Sequence, residues 1–490
     1  MITGEEYSIP EKLDDKTQID DFLSNNSDKK VVVVQGLGFV GAIMSLVCAN
    51  AKNEEYAVVG IDLPSSNTYW KIKSINDGVF PIVASDPKIE EYYRNSRKKN
   101  NFFATFDPYV YSKANVVIVD INLDVIKTSS YEGDLIEYDV DLNPFKKAIE
   151  TIGKNCKENV LILVETTVPP GTCQQVVKQI IEDCLKDRGL SEKQYKLGHS
   201  YERVMPGPGY IDSIENFYRV YSGIDDNSAE AVKLFLKTII STKEYPLTRL
   251  GSTNASELAK VLENSYRATN IAFAIEWSRF AEESNVNLYE VVNAIRMRPT
   301  HSNLMFPGIG VGGYCLTKDP LLASWSRQKH FGSSQPLIQS ENGVKSNDKM
   351  PLYAFEFFKN NFPNDKKAKI VLLGVSYRGD VGDTRYSPVE KFYKFLLDDG
   401  FIVSCHDPFI DRWEEMNLKI NQDLDYHINS NPDAIIISTG HTVYQTKQTV
   451  ELINQLKSIY IFDMIGHLSN SQIQNLNKQH KVKVLGRGDL

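Results

Sequence analysis

Residues 310–320 read GVGGYCLTKDP, which sets a cysteine, a lysine and an aspartate within five residues, behind two glycines and ahead of a proline. On spacing alone three uses of Cys315 are open. It can be a small buried hydrophobe, the commonest fate of a free cysteine. It can be a redox or metal thiol, although the neighbouring sequence offers it no partner. It can be a nucleophile, with its thiolate stabilised by Lys318 or by a helix N-terminus, and with Gly312 and Gly313 permitting a tight loop and close approach of substrate.

A second stretch narrows the chemistry. Gly36, Leu37, Gly38, Phe39, Val40 and Gly41 form G-x-G-x-x-G after an apolar β-branched run, residues 31–34, and ahead of a helical pattern from residue 40 to about residue 50. In that context the first glycine permits the tight turn, the second lets backbone approach a pyrophosphate at the helix N-terminus, and the third allows close helix–strand packing. Asp62 ends the next apolar run, where a carboxylate accepts from ribose hydroxyls and repels a 2′-phosphate, so NAD is expected rather than NADP. A hydride acceptor and a thiol nucleophile in one chain suggest a four-electron oxidation. An alcohol becomes an aldehyde, the thiolate traps it as a thiohemiacetal, a second hydride leaves, and water hydrolyses the thioester.

The elements that must position these groups follow from periodicity. Strand-like runs at 57–62, 115–122 and 159–167 alternate with helical segments such as 143–155, the pattern of a doubly wound α/β domain. From residue 254 about thirty residues run without proline or glycine. Leu258, Val261, Leu262, Ile271, Ala274 and Ile275 make an apolar stripe there, suited to a helix that crosses between domains and packs on a second subunit. A second α/β pattern begins near residue 368, with strands expected in FIVSCHDP, DAIIISTGH and IYIFDMIG. The fold class expected is therefore α/β, two Rossmann-like doubly wound domains joined by a long central helix. The division expected is an N-terminal extension over 1–28, a cofactor domain over 29–250, a central segment with the long helix and the cysteine loop over 251–349, loop-rich from 298, and a nucleotide-sugar domain over 350–490.

Composition is that of a soluble globular protein: 490 residues, 42% hydrophobic and 24% charged, with a formal net charge of −8. No long basic run marks a nucleic-acid partner. The six scattered cysteines contain no CxxC pair, so neither a disulfide framework nor a zinc site is expected, and a reducing cytoplasm is the natural compartment. The first thirty residues lack the basic and apolar regions of a signal peptide, and no apolar run is long enough to insert in a membrane.

Six separated motifs in order, GLGFVG, ETTVPPGT (165–172), YERVMPG (201–207), ELAKVLENSYRATNIAF (257–273), PGIGVGGYCLTKDP (307–320) and GVSYRGDVGDTRYSP (374–388), resemble the UDP-glucose/GDP-mannose dehydrogenase family, the nucleotide-sugar 6-dehydrogenases, from Lys30 onward. The resemblance implies an NAD-dependent enzyme that oxidises C6 of a UDP-sugar to a uronate, and a homodimer formed through the central helix. It implies that Cys315 is the catalytic cysteine, that Lys260 and Asn264 stabilise the oxyanion at C6, that Asp319 orients water or acts as base, and that Glu202 lines the substrate pocket. On the same ground Arg203, Arg267, Gly312 and Arg378 are expected at the substrate. Thr167, Lys318 and Arg385 are expected at the cofactor, beside the glycine motif and Asp62. No metal is implied.

Three departures from the family pattern bear on the substrate. Tyr314 stands where the family often has histidine, DINL (120–123) stands for VPTP, and Pro206 takes the place of a second glutamate. ERVMPG resembles the branch acting on UDP-N-acetylhexosamines, for surface polysaccharide precursors. UDP-glucose or GDP-mannose is the alternative substrate, and a non-catalytic nucleotide-sugar binder is the alternative of another class.

Overall fold

Residues 31–34 are buried on both faces, which suits β-branched side chains to the interior strand of a parallel sheet. A computed structural model describes residues 7–11, 13–82, 84–204, 207–362 and 367–490. Pro206 lies outside the described residues. In the first half the strands are β1 (Lys30–Gln35), β2 (Tyr56–Ile61), β3 (Phe102–Thr105), β4 (Val116–Val119), β5 (Val125–Ser129), β6 (Leu135–Val140), β7 (Val160–Val164), β8 (Tyr195–His199), β9 (Val220–Gly223) and β10 (Thr248–Arg249). One sheet has the order β10-β9-β8-β7-β4-β1-β2-β3, parallel except where β8 meets β9. The strand order reverses between β1 and β4. At such a switch point the carboxyl ends of the strands open a crevice for a dinucleotide.

The second half carries β11 (Lys369–Leu373), β12 (Ile402–His406), β13 (Arg412–Trp413), β14 (Leu418–Lys419), β15 (Ala434–Ile437), β16 (Tyr460–Asp463) and β17 (Lys481–Val484). Five of these form a parallel sheet, β12-β11-β15-β16-β17, again with the earliest strand inside. The short pairs β5–β6 and β13–β14 stand apart. The chain divides into two compact units. The first holds the eight-stranded sheet and runs to Val261, with Trp325–Gln335 added. The second holds Ile126–Asp139, Leu262–Ser324 and Pro336–Leu490.

The stretch without proline or glycine is one helix, Thr253–Glu283, of 31 residues. It stops before Asn285, whose left-handed φ of 57° terminates a helix at little cost. Its expected apolar stripe divides in two. Val261, Ala274 and Ile275 are buried, whereas Leu258 and Leu262 are more than half exposed, together with Tyr266, Phe273 and Phe280.

One further expectation is revised. The stretch 298–349 is not loop-rich throughout, because helices Asp319–Lys329 and Ile338–Asp348 lie within it and bury Leu321, Leu322 and Val344. Within the N-terminal extension the described residues include a short helix. Helix Lys16–Ser24 buries Ile19 and Phe22, and Phe22 stacks on Phe103 of the edge strand β3 at 5.5 Å. Among the described residues no helix is long and apolar enough to cross a membrane.

Candidate active site

In the first unit the turn after β1 is crowded enough to demand glycine. Gly36 has φ +97°, and a Cβ there would lie 2.3 Å from the Asp120 carbonyl oxygen. A Cβ on Gly41 would lie 1.9 Å from the Gly36 carbonyl oxygen. Gly38 caps helix Phe39–Ala49 without any side-chain hydrogen bond, so the first backbone N–H groups keep their capacity for an anion. Phe39 and Val40 are half-buried in the first turn, and the Phe39 carbonyl accepts the Tyr210 hydroxyl at 2.7 Å. Asp62 leaves β2 with Oδ2 accepting the Leu37 N–H at 3.0 Å and Oδ1 accepting the Leu63 N–H at 2.8 Å. The carboxylate thereby holds the turn and remains partly exposed. These residues fit NAD.

Beside that turn lies a buried row of acids. Gln35 pairs in register with Val119, and Val119 with Val164, so Gly36, Asp120 and Glu165 are neighbours at the ends of three adjacent strands. Glu165 is ion-paired with Arg219, itself held by the Ser200 hydroxyl at 3.1 Å. Burial pushes Glu165 up to about 7 against the pull of Arg219. Burial, then the charges of Glu165 and Glu202, raises Asp120 well above the usual carboxylate range. His199, buried and close to the charges of Arg219 and Lys260, is pushed down to about 3 and is neutral at physiological pH. Thr167 is half-buried, while its neighbour Thr166 ties the loop by donating to the Val119 carbonyl.

Glu202 and Lys260 are brought together. The Lys260 ammonium donates to the Glu202 carbonyl at 3.0 Å, lies 3.8 Å from its carboxylate and sits over the Tyr201 ring. Arg203, expected at the substrate, is committed to protein. It donates to the Tyr218 carbonyl and stacks on Tyr201 and Phe217.

In the second unit Cys315 is the exposed one of the six cysteines; the other five are buried, and burial raises their thiols. Its turn is shaped by the motif at 374–388. A Cβ on Gly312 would lie 2.6 Å from the Tyr377 Cβ, and one on Gly313 would lie 2.8 Å from the Tyr377 ring. The Cys315 carbonyl accepts the backbone N–H groups of Lys318 and Asp319, one turn ahead of helix Asp319–Lys329. Asp319 is fully buried between two donors, Lys318 Nζ at 3.0 Å and Asn264 Nδ2 at 2.6 Å. Lys318 is buried as well, its ammonium over the Tyr314 ring, so its charge is spent inside the turn. Arg385 grips both oxygens of Asp383 and faces the Tyr314 ring. Arg267 is exposed, seven residues along the central helix from Lys260 and three from Asn264, which puts the three on one helical face.

Arg378 is exposed at the rim of a cavity of about 180 Å³ lined by Ser376, Arg378, Gly379, Ser438, Thr439 and Gly440. Among the described residues it makes no hydrogen bond or ion pair. Sequence reasoning missed Asp120, Glu165, Arg219 and the support of the Arg378 loop. Glu165 opens ETTVPPGT and Asp120 opens DINL, so both stood inside quoted stretches, but only the strand register places them side by side.

Models of the UDP-glucose/GDP-mannose dehydrogenase family match three stretches: its NAD binding domain at residues 29–240, its central domain at 254–348 and its UDP binding domain at 371–470. A UDP-N-acetyl-D-mannosamine dehydrogenase of Methanocaldococcus jannaschii is 30% identical over 473 residues, covering 95% of this chain and 98% of that one. One of Pyrococcus horikoshii is 28% identical over 470 residues, covering 94% and 100%. The solved UDP-D-ManNAc dehydrogenase from Pyrococcus horikoshii matches with a TM-score of 0.77 at 26% identity, over 94% of this chain and all of that one.

Proposed function

Because this chain belongs to the UDP-glucose/GDP-mannose dehydrogenase family, and so is an NAD-dependent oxidoreductase of nucleotide sugars, we propose that it oxidises C6 of a UDP-N-acetylhexosamine to the carboxylate through a covalent adduct on Cys315. The observation that carries the reading is the second unit's cysteine turn, an exposed thiol one turn ahead of a carboxylate that Lys318 and Asn264 hold from two sides. The names of the 30% and 28% identical relatives make UDP-N-acetyl-D-mannosamine the first substrate to test. The product, a uronate, suits a surface polysaccharide precursor.

When bound at the glycine turn and Asp62, NAD supplies a hydride acceptor. Lys260 offers its ammonium to the oxygen on C6, which bears developing negative charge as each hydride leaves. Asn264, one turn along, gives one amide N–H to Asp319 and keeps the other for the same oxygen. The Cys315 thiolate adds to the C6 aldehyde carbon, forming a C–S bond. Loss of the second hydride turns this thiohemiacetal into a thioester. Asp319 orients water onto the thioester carbon, the C–S bond breaks, and the thiol is restored. The balance is one alcohol, two NAD and one water in, and one carboxylate, two NADH and three protons out. Arg378, exposed at the 180 Å³ cavity of the second unit, faces the diphosphate, for which its planar fork is suited.

We also propose a homodimer through the central helix. Leu262, Tyr266, Phe273, Trp277 and Phe280 are each close to half exposed or more, and recur at helical spacing along one element.

The test is NADH formed per sugar consumed, over a panel of UDP- and GDP-sugars, with product identified by mass. A ratio of about two with a uronate, highest in kcat/KM for a UDP-N-acetylhexosamine, is expected. A ratio near one with free aldehyde overturns the covalent route.

A further inference from the structure

Resting on the nucleotide reading of the second unit's cavity, we infer that His441 is a positioning residue of that site, joining Asp407 to the backbone of Asp380 and so holding the Arg378 loop in a fixed shape. The loop that carries Arg378 has no regular secondary structure, and Arg378 itself takes no support from any partner among the described residues. Its shape must come from what holds its two ends.

Those ends meet on one buried pair. His441 Nδ1 accepts the Asp380 N–H at 2.9 Å, two residues after Arg378. An N–H donor on Nδ1 puts the ring proton on Nε2, which donates to Asp407 Oδ2 at 3.1 Å. The same Asp407 oxygen accepts the Val375 N–H at 2.9 Å, the Ser376 N–H at 3.0 Å and the Ser376 hydroxyl at 2.8 Å, just before Arg378. One carboxylate and one imidazole thus fix both flanks of Arg378. Phe409 and Tyr444 pack beside the ring, each with its centroid 5.4 Å away. The anchor is needed because the loop is held in unfavourable geometry. Asp380 sits at φ +57°, and a Cβ on Gly379 would lie 2.0 Å from the Gly440 carbonyl oxygen. The Asp380 carboxylate in turn binds Thr442, the residue after His441. Residues 376–379 and 438–440 both line the cavity, so what clamps them together bears on its shape.

The experiment uses the full chain and UDP as probe, with binding measured by calorimetry and KM and kcat measured with NAD and the best sugar of the panel. In His441→Ala the UDP dissociation constant and the nucleotide-sugar KM are expected to rise about tenfold, with KM for NAD unchanged and kcat changed far less. His441→Asn, whose Oδ1 overlays Nδ1 and still accepts from Asp380, should recover most of the affinity. His441→Gln, which reaches only toward Asp407, should not. Gly379→Ala, which forces the two stretches apart without touching the ring, should reproduce the loss and stands in if His441→Ala does not fold. UDP bound equally by wild type and His441→Ala, or Asn and Gln behaving alike, overturns the inference alone. A wild-type chain that takes up no UDP overturns the nucleotide reading and the inference with it.

Discussion

Cys315 differs from the other five cysteines in one physical respect, exposure, and a thiol serves as a nucleophile only where substrate can reach it. Replacing it with serine exchanges a thiolate for a hydroxyl that stays protonated at neutral pH. Cys315→Ser should therefore lose at least about a thousandfold in turnover while binding of UDP and NAD is kept. Near-normal NADH production would sink the covalent route. Asp62 is a second residue whose environment argues its role. Its carboxylate fixes the Leu37 N–H, and the Lys71 ammonium lies 3.9 Å away. Asp62→Ser removes the charge that repels a 2′-phosphate and leaves Lys71 to attract one. The ratio of kcat/KM for NADP over NAD should rise by about tenfold or more, and an unchanged ratio in steady-state assays would remove Asp62 from cofactor selection.

Among elements, the central helix does more than carry Lys260 and Asn264. From its first turns Glu257 reaches the loop of ETTVPPGT, Oε2 accepting the Gly171 N–H at 2.7 Å and Oε1 the Cys173 N–H at 2.8 Å. Burial outweighs those two donors and pushes Glu257 from 4.5 up to about 7. An acid with a raised folded pKa contributes stability that is complete below its unfolded value and is lost as pH climbs through the folded one. Between pH 4.5 and 7 the unfolding free energy should therefore fall by about 3 kcal/mol on this group's account. Glu257→Gln cannot ionise. Urea denaturation at pH 5 and pH 8 should show the wild type losing more stability across the interval than the variant, and parallel losses would contradict the raised pKa.

At the scale of the whole molecule, the exposed aromatic stripe sets an expectation for assembly. Trp277 is 47% exposed and makes ring contacts with Phe273 and Phe280 on its own helix. Trp277→Glu places a charge in the middle of that stripe, where a dimer would have to desolvate it. Light scattering should report a dimer for wild type and a monomer for the variant. A monomeric wild type would leave the stripe without the proposed role.

Much of the chemistry is written in short stretches. The G-x-G-x-x-G turn, Asp62 after the next strand, the cysteine turn and the proline-free, glycine-free helix are local patterns, because turn geometry, strand burial and helix periodicity depend on residues a few positions apart. Other parts of the site depend on partners far along the chain, which a single sequence does not pair. Strand register makes Asp120 and Glu165 neighbours, and the tertiary fold brings Arg219 to Glu165 as its counter-ion. Tyr377 explains why Gly312 and Gly313 must lack side chains. Arg203 and Arg378 look equivalent as sequence, yet one is spent on Tyr218 and Phe217 while the other stands at a cavity rim. The helices between 298 and 349 escaped notice because glycine and proline surround them and little periodicity marks their short apolar faces. Local order is legible where neighbours in the chain are also neighbours in space; burial, pairing and pKa are properties of contacts, and those the tertiary fold alone decides.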